Sequence, residues 1–279
     1  MDNFYDKLNT LFTYDPGNRG LPALMPPADL AGIFSELKKA ERVLIVSGFP
    51  ILPTGIGETD GPPGAVNIAA AIKAAGKKAA LLSDAASYEI LKAGAEFAQI
   101  NCPIFNIKGD SAEADCTEAL EIFNPTHIIA IERPGKINGH FRNMRGMVID
   151  EFVADTDCLF DIFKGVTLAI GDGGNELGMG SLRAYAKEAE YWADKAADFP
   201  MVAGVSNWWS WGLAALISIS IGKNILPTPE EEEGLLRACV SAGAIDGVSK
   251  EQAATVDGIS LEDNIAVLLK IHELVDEYL

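Results

Sequence analysis

Short apolar, β-branched runs alternate with helical stretches along most of the chain. The runs Arg42–Gly48 (RVLIVSG), Lys78–Ser83, Ile104–Ile107, His127–Glu132 and Val166–Gly171 read as strands, and Met201–Val205 as a further one. Most lack period-two alternation, as expected when helices cover both faces of a parallel sheet. Terminal signals mark helices between and after them. Asp110 and Glu113 have the spacing of a capping box, in which each side chain satisfies an unpaired backbone donor. Thr228-Pro229-Glu230-Glu231 places a cap, a first-turn proline and acids where a helix dipole favours them. Gly76 is a C-terminal stop for AVNIAAAIKAA, and after Ser260 the positions Leu261, Ile265, Leu268, Ile271 and Val275 form one apolar stripe. The predicted fold class is α/β: a doubly wound, mostly parallel sheet with helices on both faces and a helical N-terminal extension over residues 1–40. No repeat, low-complexity tract or linker interrupts residues 1–279, so a single domain is expected, with LPALMPP (Leu21–Pro27) as a hinge or strap.

Composition narrows the partners. Hydrophobic residues make up 48% of the 279, enough for a sizeable core. With 40 acidic against 22 basic residues the net charge is -18, which opposes nucleic acid and anionic membranes and points to a small-molecule partner. Cys102, Cys116, Cys158 and Cys239 form no C-x-x-C pair, which fits a reducing compartment. The N-terminus has no signal-peptide pattern, and the longest apolar stretch, Trp211–Gly222, is too short to cross a bilayer. A soluble, cytoplasmic protein is expected. Three tryptophans crowd SNWWSWG (Ser206–Gly212), read first as core and alternatively as a homo-oligomer surface or a pocket wall.

Three polar loops follow strands and should open on the carboxyl edge of the sheet, where ligands bind in such folds. The first, Phe49–Gly64, carries Glu58, Thr59 and Asp60 at the start of a helix near Pro62, where free N–H groups can hold a carboxylate or phosphate. It has no G-x-x-x-x-G-K-[ST] phosphate loop. The second, Arg133–Gly146, supplies Arg133, Arg142 and Arg145 beside His140 and Asn143; arginine forks match carboxylates. The third is GDGGNELGMG, Gly171–Gly180. It superficially matches the last signature of haloacid-dehalogenase-type phosphatases, but no D-x-D follows the first strand, and no G-x-S-x-G elbow suggests a serine triad. The remaining set of carboxylates, arginines and amides suits acid/base chemistry on an amino acid or organic acid, with Mg²⁺ or Mn²⁺ on oxygen ligands as an open cofactor.

The motifs GFPILPTGIGETDGPPGA, AIERPGKINGHFRNMRG and AIGDGGNELGMG, in that order, resemble the D-glutamate cyclase family, specifically the domain at the C-terminal end of its mammalian members. The likeness runs from Gly17 to the last helix, and a counterpart of those members' upstream domain is not expected here. The resemblance implies cyclisation of D-glutamate to 5-oxo-D-proline with loss of water. An amidohydrolase on another small acidic amino acid or lactam, and a non-catalytic domain that binds such a metabolite, stay open beside it. From the chemistry, Asp172, Glu132, Asp60 and Glu58 are the acid/base candidates, Asp172 or Glu132 first. Arg133 or Arg145 would bind the α-carboxylate, with Asn143 nearby. The N–H groups of Gly173 and Gly174 would stabilise an oxyanion, with Asn175 and Glu176 at a helix start.

Overall fold

A computed structural model describes residues 1–186 and 192–279. Six strands form one sheet: β1 (Arg42–Ser47), β2 (Lys78–Asp84), β3 (Ile104–Ile107), β4 (His127–Ile131), β5 (Val166–Gly171) and β6 (Phe199–Val202). Every pairing is parallel and the spatial order is β6-β5-β4-β1-β2-β3. The chain therefore winds outward in both directions from β1 and β4, and their carboxyl ends flank the switch point.

Besides a single helical turn at Leu21–Leu24, the α-helices among the described residues are α1 (Asp2–Leu11), α2 (Leu30–Lys39), α3 (Pro62–Ala74), α4 (Tyr88–Phe97), α5 (Ala112–Phe123), α6 (Cys158–Ile162), α7 (Ser206–Ile221), α8 (Pro229–Ser241) and α9 (Leu261–Tyr278). The uninterrupted apolar runs have a direct cause. In β1, Val43 and Ile45 face a large core with α3 and α7, while Leu44 and Val46 face a second core with α5. Burial on both faces removes the alternation that a wet face would impose. The tryptophans fill the core: Trp208, Trp209 and Trp211 are buried, and their indole N–H groups reach Asn264, Val202 and Glu232.

Local signals mostly act as the sequence suggests. Thr228 and Glu231 form both halves of a capping box on α8, Ser260 caps α9 through the Asp263 N–H, and Gly76 follows α3 at φ +74°. Two expectations shift. The last strand is Phe199–Val202, slightly N-terminal of Met201–Val205, because Ser206 already begins α7. Helix α5 has Ser111 as its N-cap and no Asp110–Glu113 box; Asp115 instead accepts the Ser111 hydroxyl (3.0 Å) and the Lys108 N–H (2.8 Å). Among the described residues, no helix is long and apolar enough to cross a membrane.

The N-terminal extension is bound by aromatic contacts. Phe12 stacks on Trp209 (4.0 Å) and Tyr14 on Trp208 (5.7 Å), and Phe4 meets Tyr278 edge-on (5.3 Å). Beyond Tyr14, the Asp15 carboxylate accepts the N–H groups of Arg19 (3.1 Å) and Gly20 (2.6 Å), closing a turn that aims Arg19 at the carboxyl edge of the sheet.

Candidate active site

A cavity of about 240 Å³ opens at the switch point, lined among others by Arg19, Glu58, Glu132, Asp172, Asn175 and Asp257. It is smaller than the ~300–1,000 Å³ typical of drug-sized ligand sites, a size suited to a small metabolite. Phe49, Leu52, Met144 and Met147 form the apolar part of its wall.

The loop after β1 brings Glu58 and Asp60 inward. Gly61 turns the chain at φ +95°, and a Cβ there would lie 2.7 Å from that of Glu132. Asp60 sits on the start of α7, accepting the N–H groups of Asn207 (2.8 Å) and Ser206 (2.9 Å). Asn207 returns the arrangement by accepting the Gly61 and Gly64 N–H groups at the start of α3, both at 2.9 Å. The helix start near Pro62 thus spends these donors on the protein itself and not on a ligand.

Glu132 ends β4 at φ +42°, a conformation uncommon outside glycine, and accepts the Ser206 hydroxyl at 2.5 Å. Such outliers concentrate at functional sites. The next residue departs from expectation. Arg133 has 0% exposure and turns away from the cavity: it pairs with Asp84 (2.7 Å) and donates to Thr156 Oγ1 (2.9 Å) and to the Gly48 (3.2 Å) and Ala154 (2.5 Å) carbonyls. It crosslinks loops. Arg145, exposed, and Asn143 line the cavity rim; His140 is at the surface with Asp150 (2.7 Å).

The segment after β5 starts no helix. Glu176 folds back to accept the N–H groups of Asp172 (3.2 Å), Gly173 (2.7 Å) and Gly174 (2.7 Å). This carboxylate occupies the donors expected to form an oxyanion hole, and Glu176 has no helix start to stand on. Bonds from the Leu177 N–H to Arg133 O (2.8 Å) and from Gly135 N–H to Asn175 O (2.9 Å) tie the segment to the loop after β4. A single 3₁₀ turn follows at Gly180–Leu182. Asp172 and Asn175 remain directed at the cavity.

Two members were not evident from the sequence. Arg19, from the extension, pairs with Asp172 and with Asp257 (2.9 Å). Asp257, at φ +55°, is presented by a loop that Asp246 organises through the Val248, Ser249 and Gly258 N–H groups and the Thr255 hydroxyl. The available signals were an isolated arginine between glycines in GNRG and an Asp-Gly dipeptide that reads only as a turn.

Six buried carboxylates, Glu58, Asp60, Glu132, Asp172, Glu176 and Asp257, therefore gather at this edge of the sheet, and two of them, Asp172 and Asp257, share one half-buried guanidinium. Burial, followed by repulsion from Asp257 and Asp60, pushes Glu58 well above the ordinary carboxylate range. Burial and then Asp172 do the same to Glu132. Burial raises Asp60, with Asp257 next and the α7 N–H groups opposing. Burial also raises Asp172, against the pull of Arg19. For Arg19, burial disfavours the charge, but Asp172 and Asp257 outweigh it and hold the group cationic. Among the described residues, two oxygen triads could hold a metal ion: Asp60–Asp172–Asp257 and Glu132–Asp172–Glu176.

The fold and site define a doubly wound α/β protein with an acid-rich cavity at the switch point of its sheet. Comparison places it further. Residues 8–272 match the family model for D-glutamate cyclase-like, C-terminal, and the chain belongs to that family. It is 31% identical to the human protein named D-glutamate cyclase, mitochondrial, over 97% of this chain and 51% of that protein. The chain thus spans about half the length of this curated relative.

Proposed function

We propose that this chain is a hydro-lyase that cyclises D-glutamate to 5-oxo-D-proline with release of water. The observation that carries the reading is the arrangement of carboxylates around a metabolite-sized cavity with Arg19 in their midst, in a member of this family. In the reaction the α-nitrogen bonds to the γ-carboxyl carbon and one carbon–oxygen bond breaks. Two of the three ammonium protons leave with that oxygen as water, so the reaction needs no net proton and no nucleotide. Folding the substrate in the cavity captures part of the intramolecular advantage, up to ~7–11 kcal/mol in favourable cases.

The chemistry needs one carboxylate to take a proton from nitrogen and one carboxyl group to deliver a proton to the departing oxygen. Glu58 and Glu132 both border the cavity and are the residues assigned to this pair. Asn175 Oδ1, buried without a partner, offers an acceptor for the substrate ammonium. Arg145 at the rim binds the α-carboxylate. Arg19 replaces the glycine N–H groups as the source of positive charge for the tetrahedral oxyanion.

The test is incubation of purified protein with D- and L-glutamate and with both 5-oxoprolines, followed by chiral chromatography. Interconversion of the D pair is expected, with Glu58→Gln and Glu132→Gln each losing at least ~10²-fold in turnover. No conversion of either enantiomer by folded protein, with or without Mg²⁺ or Mn²⁺, overturns the reading. Binding without turnover would make the domain a metabolite binder instead.

A further inference from the structure

We propose that Asp60, Asp172 and Asp257 form a site for one hard divalent cation of the Mg²⁺ or Mn²⁺ class, with Arg19 as its built-in competitor. Each of the three offers a carboxylate oxygen, and these oxygens lie within 4.8 Å of one another. They come from three separate segments: the loop after β1, the end of β5 and the loop before α9.

Proximity of acids is not itself a site, since a cluster of carboxylates can simply share protons. The independent sign is in the oxygens. Arg19 uses Oδ1 of both Asp172 and Asp257. Oδ2 of each remains buried with no hydrogen-bond partner, and Asp172 is only 1% exposed. A buried, unpartnered polar atom is destabilising, so two carboxylate oxygens left this way beside a third acid call for a ligand that accepts electron pairs. The backbone supports this: Asp257 is kept at φ +55° by the hydrogen bonds of Asp246 to its loop.

The donor set selects the ion. Three carboxylates with no imidazole or thiolate favour a hard cation. One oxygen from each leaves room for water or a substrate carboxylate, the mixed protein-and-water shell of Mg²⁺ or Mn²⁺ more than the 6–8 oxygens that Ca²⁺ takes. Asp60 already accepts the Gly61, Ser206 and Asn207 N–H groups, as Glu176 accepts three in the alternative triad, so the difference lies in the unpartnered oxygens: two here, on Asp172 and Asp257, against the one on Asp172 there.

Charge assigns the role of Arg19. Its guanidinium bridges the two aspartates an ion would share, so it repels a divalent cation at close range and weakens the oxygens' hold on it. The ion would add to the positive charge that Arg145 and Arg19 offer a doubly carboxylated substrate. That role rests on the proposed cyclisation; binding of the ion does not.

The test is therefore binding without substrate. Mn²⁺ is titrated into the full chain and followed by the loss of the free-ion electron paramagnetic resonance signal, with Mg²⁺ and Ca²⁺ as competitors. One Mn²⁺ per chain is expected, displaced by Mg²⁺. Asp257→Asn and, as a second variant, Asp172→Asn should weaken binding at least about tenfold, with folding checked by circular dichroism. Arg19→Gln should tighten it by a similar factor, the scale of one nearby charge. No bound Mn²⁺ in either wild type or Arg19→Gln overturns the site. So does unchanged affinity in folded Asp257→Asn and Asp172→Asn, which would place the ion elsewhere on the acidic surface. Unchanged or weaker binding in Arg19→Gln overturns the competitor role. A chain that binds Mn²⁺ as described but turns over no glutamate would leave the site standing and sink only the cyclisation.

Discussion

Arg133→Ala separates a structural arginine from a substrate-binding one. The side chain has 0% exposure, pairs with Asp84 at 2.7 Å and supplies hydrogen bonds to Thr156, Gly48 and Ala154. Truncation leaves Asp84, itself buried, as a charge without its counter-ion, and strips three oxygens of a donor. Breaking a buried pair from one side costs about 3–5 kcal/mol. An unfolding entropy of about 2.1 cal/mol/K per residue gives roughly 0.6 kcal/mol/K for 279 residues. The variant should therefore melt about 5–9 °C below wild type. Arg133→Lys should recover only part of this, because an ammonium keeps the charge but cannot fork to all four partners. Differential scanning calorimetry measures the shift, with Arg145→Ala as the contrast. Arg145 is exposed at the rim, so its loss should move the melting temperature by under about 1 °C while weakening substrate binding. An unchanged melting temperature for Arg133→Ala, accompanied by weakened substrate binding, would refute the crosslink and return Arg133 to the cavity.

Two further outcomes follow from groups outside the cavity. Burial raises Glu232 above its ordinary value, against hydrogen bonds from Asn67 (2.7 Å) and Trp211 (3.2 Å), with the Cys239 thiol nearby. Its folded form holds the proton more tightly than the unfolded chain, so its contribution to stability falls as pH rises from the usual carboxylate value through the raised one. Glu232→Gln should lose this decline, and parallel denaturation profiles from acid to neutral pH for variant and wild type would rule it out. Thr228→Ala removes one half of the capping box on α8, the 3.2 Å bond from the Glu231 N–H. It should cost about 1 kcal/mol, read by urea denaturation, with Thr228→Ser retaining most of it; equal losses in both variants would show that the cap is not responsible.

The sheet was legible in the sequence because burial on both faces leaves a mark that needs no partner to be seen. Leu44 and Ile45 are adjacent and face opposite cores, so both must be apolar. The cavity was half legible for a different reason. Loops longer than a connection requires announce a site, and Glu58, Asp60, Glu132, Asp172 and Asn175 do converge at one end of the sheet. Which polar atom faces which was not readable. Arg133 and Arg145 lie in the same loop and look alike, yet one is consumed by Asp84 and the other left at the rim. The glycine N–H groups of Gly173 and Gly174 looked free because nothing local shows that Glu176 folds back onto them. Arg19 was least accessible of all, since its place depends on Phe12 and Tyr14 stacking on tryptophans almost two hundred residues away. The acid excess read from composition as a bar to nucleic acid has a local counterpart that composition could not locate. Six of the 40 acidic residues are buried around one cavity, where an unpaired charge is costly and each cation counts. A guanidinium delivered by the extension and a divalent ion held by aspartates would answer the same deficit, and the strength of each should limit the other.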